Sequence, residues 1–226
     1  MKRLFPILAL ALNGCFACGT GSQVQDVDPD LKVYRPAAPP LDDRHPSAHL
    51  DRVTPGSWVR YRRTKDGEET VITLGAVKVE GESVWIEVVE EGDPKRVSLR
   101  RVSFDGDVLA ARYREIPESG PASEIADQPV SSSGGAPRRP PSSRTEENRK
   151  VQAGDKSLDV TVFRNLFRDE SLGREHEEEE GWSAAVPPIL ESQEIGTAVN
   201  GLVFRKAPDE SIQLLDAGMG YTPLIR

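Results

Sequence analysis

The chain predicts an all-β protein: an antiparallel meander forming a curved sheet, half-barrel or sandwich, with a disordered N-terminal tether and a disordered central loop. Three observations carry this. From Val53 onward, apolar residues recur at every second position in short runs. The turn dipeptides Asp66-Gly67 and Asp105-Gly106 punctuate those runs. Two long stretches, 15–50 and 117–150, are rich in Pro, Ser and Gly and show no hydrophobic period.

The elements follow in order. Lys2 and Arg3 precede the apolar run Leu4 to Leu12, which Asn13 and Gly14 interrupt. A bilayer-spanning helix needs roughly 20 apolar residues, about twice this length, so residues 1–14 read as a signal peptide rather than a span. Leu12-Asn13-Gly14-Cys15 resembles the lipobox of bacterial lipoproteins: an aliphatic residue, a small residue, Gly or Ala, then Cys. Leu12, Gly14 and Cys15 match, and Asn13 departs from the usual small residue. The resemblance implies cleavage before Cys15, a diacylglycerol on its thiol and an acylated amino group. Two or more acyl chains hold stably, whereas one, at ~0.8 kcal/mol per buried methylene, holds only reversibly. It further implies a lipid-anchored, periplasm-facing envelope protein. The outer membrane is preferred to the inner because Phe16, not Asp, follows the cysteine. The alternative is an ordinary signal peptide and a soluble periplasmic or secreted product.

Cys15-Phe-Ala-Cys18 also spells C-x-x-C, but neither a βαβ context nor a second ligand pair accompanies it. Residues 15–50 contain five prolines and scattered acids. As a coil, about 35 residues span roughly 30–35 Å, enough to hold a domain clear of lipid headgroups. Within the tether, Asp26, Asp28 and Asp30 imitate the start of a calcium loop. Leu31 stands where that loop needs Gly and Ala37 where it needs Glu, so no metal is expected.

Residues 51–116 form the expected first β half. "SWVRYRRT" turns at Asp66-Gly67 into "ETVITLGAVKVE"; Gly81, Gly92-Asp93-Pro94 and Asp105-Gly106 then separate "SVWIEVVEE", "KRVSLRRVSF" and "DVLAARYRE". In the third run Val84, Ile86 and Val88 share one face, while Trp85, Glu87 and Val89 share the other. Residues 117–150 read as the inserted loop, locally basic through Arg138, Arg139, Arg144, Arg149 and Lys150.

Residues 151–226 form the expected second β half. "KSLDVTVFRN" alternates as a strand, and "GLVFRKAPDESIQLLDAG" reads as a hairpin turning at residues 207–210. In "REHEEEEGWSAAVPP", His176 lacks the second histidine of a zinc-protease motif, since Glu180 stands there. The acids around it fit an exposed edge strand or strand end, where charge prevents edge-to-edge association. Gly181-Trp-Ser-Ala-Ala185 approaches a nucleophile elbow, but Ala185 replaces the second Gly, and Ser183 reads as an ordinary strand residue.

The order of an alternating strand at Ala153 to Asp159, Trp182 to Pro187, Gly201 to Val203 and Leu214 to Gly218 is similar to that in secreted bacterial lipoproteins. Some of these are similar in turn to the lipoprotein-carrier half-barrel, a curved sheet whose helical lid shelters acyl chains. No helix-length amphipathic segment suits a lid here.

Removing Lys2 and Arg3 with the signal takes the net charge from -8 to about -10, and such a surface repels nucleic acid. No catalytic set assembles and no cofactor is expected. The function read from the sequence is therefore a non-catalytic binding or envelope-assembly module, anchored to a membrane through Cys15, with an envelope protein or lipid as partner. The alternative is a carrier or sensor of an apolar ligand, with Trp58, Trp85 and Trp182 lining a pocket on the concave sheet face. A hydrolase would require His176 beside Ser183 or a carboxylate.

Overall fold

Two positive-φ residues, Asp66 (51°) and Gly67 (82°), close the first hairpin, the conformation a two-residue turn needs to match strand twist. That hairpin starts a meander that grows into one sheet. A computed structural model describes residues 38–132, 140–169 and 173–225, all within one compact unit, Tyr34–Arg226. Among the described residues there is one 3-10 turn, Leu50–Arg52, and no α-helix. The first strands are β1 (Leu41–Asp42), β2 (Ser57–Lys65), β3 (Glu68–Val79), β4 (Ser83–Glu90), β5 (Lys95–Ser103), β6 (Val108–Ile116), β7 (Ala126–Asp127) and β8 (Val130–Ser131). The remaining ones are β9 (Ser143–Ala153), β10 (Lys156–Asp169), β11 (Arg174–Ser183), β12 (Gln193–Ile195), β13 (Ala198–Lys206) and β14 (Glu210–Met219).

Twelve strands make one antiparallel sheet in the order β7-β6-β5-β4-β3-β2-β14-β13-β11-β10-β9, with β12 added on β13. The curved sheet does not close into a barrel. The last strand, β14, inserts between β2 and β13, with Leu214 opposite Tyr61, so the two halves of the chain join through that pairing. β1 and β8 form a separate parallel pair.

Alternation decides which side chains face inward. Val59, Tyr61, Leu74, Ile86, Val88, Val102, Val203 and Leu214 share one core cluster with Val160 and Val162 of β10 and with Val186 and Ile189 of the loop after β11. Strands far apart in the sheet order thus meet across its concave side. On the opposite side Val89, Val97 and Leu99 are covered by Ile225 from the C-terminal tail. Glu87, fully buried, fixes that tail: it accepts from the Tyr221 hydroxyl at 2.6 Å, the Leu224 amide at 2.9 Å and the Ile225 amide at 2.8 Å. Gly75 is required beneath the tail, because a Cβ there would lie 2.2 Å from the Tyr221 ring.

Two expectations are corrected and a third holds for part of its strand. Residues 117–150 do not form an unbroken disordered loop: they contain β7, β8 and most of β9, whose backbone pairs along β10 from Ser143 to Ala153. β11 is an interior strand only over Glu179–Ser183, which pair with β13; over residues 174–178, where His176 lies, it pairs with β10 alone among the described residues, as the exposed-edge reading expects, and several of its acids face arginines across the ladder. Arg164 Nε lies 3.8 Å from Glu179, Arg168 lies 2.8 Å from Glu175, and Arg149 also pairs with Glu179. The tether's final residues are likewise structured, with Leu41–Asp42 in β1 and Leu50 fully buried.

Candidate functional site

A strap of residues 39–47 crosses the concave side and builds the site. One end is pinned by Gln128 Nε2, which donates to the Pro39 carbonyl at 2.9 Å, and by the Leu41 amide, which donates to the Pro129 carbonyl at 3.0 Å. In the middle, the His45 amide donates to the Gly106 carbonyl at 2.8 Å, and Arg44 pairs with Asp107 at 2.7 Å. At the far end Ser47 Oγ donates to the Pro188 carbonyl at 3.1 Å. Prolines at 39, 40 and 46 suit this path, because an extended strap crossing a sheet face needs few amide donors.

Two cavities open along the trough under this strap. One, of about 470 Å³, is walled by Tyr61, Ile72, Leu74, Val88 and Ile212 of the sheet, by Leu41 and His45 of the strap and by Leu190 and Glu191 of the loop after β11. The other, of about 460 Å³, lies toward β6 and is lined by Ser98, Tyr113, Glu115 and Gln128. Pro40, Leu41, Val88, Glu90 and Arg100 line both. Both volumes fall within the roughly 300–1,000 Å³ of small-molecule sites.

The walls mix apolar and charged groups. Arg63 donates to Glu210 at 2.6 Å, Arg205 holds Glu180 at 3.4 Å and also pairs with Glu191, and Arg96 reaches Glu90 at 4.0 Å. Tyr61 donates its hydroxyl to the Leu202 carbonyl at 2.8 Å, and burial pushes that hydroxyl far above the ordinary phenol range. Tyr113 is raised as well, by burial first and then by its hydrogen bond to Glu115.

His45 and Arg100 are the residues that sequence reasoning missed. His45 sits in a tether-like composition, yet only 5 % of it is exposed. Its Nδ1 accepts the Ser47 amide at 3.2 Å, so the neutral ring carries its proton on Nε2, for which there is no acceptor among the described residues. Burial, and then the charge of Arg100, push its pKa down to about 3. Arg100 stands beside Ser98 on β5, half-buried at the wall common to both cavities. The alternation of "KRVSLRRVSF" placed it on the inner face; nothing local showed that a strap would cover it.

The three tryptophans do not share a pocket. Trp58 pairs with Gly75 on β3, and Gly75 pairs with Glu87 on β4, which puts Trp58 and Trp85 on the tail-covered side rather than the concave one. Trp85 donates to Glu80 Oε2 at 2.7 Å beneath Lys78 and Arg112, while Trp182 packs with Phe163 and Leu202 in a separate cluster. His176, 45 % exposed at its side chain, stacks on Phe167 with ring centroids 5.0 Å apart and faces Glu178 at 3.4 Å. It lies on the same strand as Ser183 at a separation of roughly 23 Å by strand rise, so the two form no dyad. Ser183 is buried, and its Oγ accepts the Ala185 amide at 3.3 Å.

Of the basic residues in the predicted loop, Arg144 donates to Asn165 at 2.7 Å and lies over Phe163, Arg149 pairs with Glu147 and Glu179, and Lys150 lies 3.8 Å from Asp159. Arg138 and Arg139, the signal segment, Cys15, Cys18, Asp26, Asp28 and Asp30 lie outside the described residues. Among the described residues no group of three His, Cys, Asp or Glu side chains is placed to hold a metal ion, and no helix is long and apolar enough to cross a membrane. No family model, curated protein or solved structure matches the chain.

Proposed function

We propose that this protein is a non-catalytic binding module, tethered to a bacterial envelope membrane through acylated Cys15, that seats a small ligand in the trough beneath its strap. The single observation behind the binding part of this reading is the trough itself, the tether resting on the lipobox resemblance at Cys15: two adjoining cavities of about 470 and 460 Å³ on the concave side of one sheet are bridged by a strap pinned at both ends. A rigid sheet with one covered face is a scaffold that holds a site without moving. The pairing of apolar Leu74 and Val88 with charged Arg63, Glu90 and Arg100 favours a ligand with a polar end over a bare acyl chain. Enzymatic chemistry has less support, because Ser183 and His176 stand apart and the trough's carboxylates Glu191 and Glu210 are engaged by arginines.

Gentle native mass spectrometry of the full chain tests the binding reading. A co-purified small mass, lost when Val88→Trp fills the trough, is the expected result; a bare mass together with an unchanged spectrum across a broad metabolite panel would contradict it. Fatty-acid labelling of cells tests the tether separately. Label that disappears in Cys15→Ser supports the anchor, and equal label in both proteins removes it.

A further inference from the structure

The trough contains one cation without an ion pair among the described residues. Arg44, Arg63, Arg96 and Arg205 each have a carboxylate within 4.0 Å, whereas Arg100 has none among the described residues. Its Nε reaches Ser98 Oγ at 3.5 Å, a long contact, and neither terminal nitrogen has an acceptor among the described residues. Asp42 and Glu90 are the carboxylates whose charge is felt at Arg100, but neither closes to ion-pair distance, and Glu90 reaches toward Arg96 instead. A guanidinium cannot neutralise itself by losing a proton. A charge held in a partly desolvated wall is therefore stabilised only by a counter-charge or by water.

The second such group in the same cavity is His45, with a donor on Nε2 and no acceptor for it among the described residues. Both open groups are donors, so what they lack is an acceptor. Leu41, Ile72, Leu74 and Val88 supply apolar wall around them.

We propose that the trough binds an oxyanion, a carboxylate or phosphate carried on a short apolar body, with the Arg100 guanidinium as its anchor. The planar fork of Arg100 suits bidentate pairing with either oxyacid. The body lies along Leu74 and Val88, and the strap covers it. The low pKa of His45 agrees, because burial first and then the charge of Arg100 keep that ring neutral and leave Nε2 as a donor.

This inference rests on the binding reading above, and calorimetric titration of the purified full chain separates the two. The probes are decanoate, decyl phosphate, decanol, acetate and inorganic phosphate. Decanoate and decyl phosphate are expected to bind at least about tenfold more tightly than decanol, and Arg100→Gln to remove that advantage while leaving decanol unchanged. Binding of the free anions alone would place the recognition in the oxyanion without the apolar body, and would overturn the amphiphile. Equal affinity for decanol and decanoate would overturn the anion anchor and leave the binding reading standing; no binding of any probe would remove both. Arg100→Gln is expected to melt no lower than the parent chain, because it removes an unpaired charge rather than half of a salt bridge. A lower melting temperature would show that Arg100 is structural and would overturn its role as anchor.

Discussion

Replacing Glu87 by Ala tests how the C-terminal tail is held. Three donors converge on this buried carboxylate: the Tyr221 hydroxyl at 2.6 Å and the amides of Leu224 at 2.9 Å and Ile225 at 2.8 Å. Hydrogen bonds to a charged acceptor contribute about 1.5–3 kcal/mol each, which sets a ceiling of about 4.5–9 kcal/mol for the three. The real loss is smaller, because the tail can lift off and hydrate its donors. It is then limited to the tail's docking free energy, dominated by the burial of Ile225 at about 1.5–3 kcal/mol. A cost of about 3 kcal/mol follows, and with it a drop in melting temperature of roughly 6–12 °C for a chain of this size. Glu87→Gln provides the contrast. Its oxygen still accepts the two amides, and the Tyr221 hydroxyl can turn to accept from the new NH₂, so about 1 kcal/mol is lost. Denaturant melts combined with hydrogen exchange at Leu224 and Ile225 measure both effects. If Glu87→Ala melts with the parent chain, or if those two amides exchange freely in the parent, the tail is not clamped by Glu87 and the reasoning fails.

Two further outcomes follow from buried charge. Arg205→Leu leaves Glu180 and Glu191 without their cation, and the side chains of Arg205 and Glu180 are only 6 and 7 % exposed. A loss of about 3–5 kcal/mol in a denaturant melt is expected; a loss below about 1 kcal/mol would show that water already reaches the pair. For His45, the folded-state pKa of about 3 lies below the ordinary 6.5, so the unfolded chain binds the extra proton between those values. Its contribution is full above 6.5 and declines as the pH falls. Between pH 5.5 and 4.0 the parent should lose about 2 kcal/mol more stability than His45→Asn, and parallel pH profiles would refute this.

The sequence made some of this architecture legible and hid the rest for physical reasons. The hairpin at Asp66-Gly67 was readable because its two residues tolerate the φ values of 51° and 82° that the turn demands. β9 was not readable: as an edge strand with nearly every side chain exposed, it is held by backbone pairing to β10 and carries no apolar period. The edge that the acids of β11 suggested holds for residues 174–178, whereas Glu179 and Glu180 lie inside the sheet because their partners, Arg149, Arg164 and Arg205, come opposite only once the register is set. Period two already set Trp85 on the face opposite Ile86, which conflicts with a shared tryptophan pocket on the concave side. His45 and Arg100 were invisible as a pair, since the strap and β5 lie far apart in sequence and meet only when the sheet curves beneath the prolines.

The claim that a ligand lies in the trough is tested most directly by methyl chemical-shift mapping of the chain during titration with decanoate. Shifts confined to Ile72, Leu74, Val88 and Ile212, with Val97 and Leu99 unmoved, are the expected result. Shifts centred on Val97 and Leu99, or a spectrum that decanoate leaves unchanged, would contradict it.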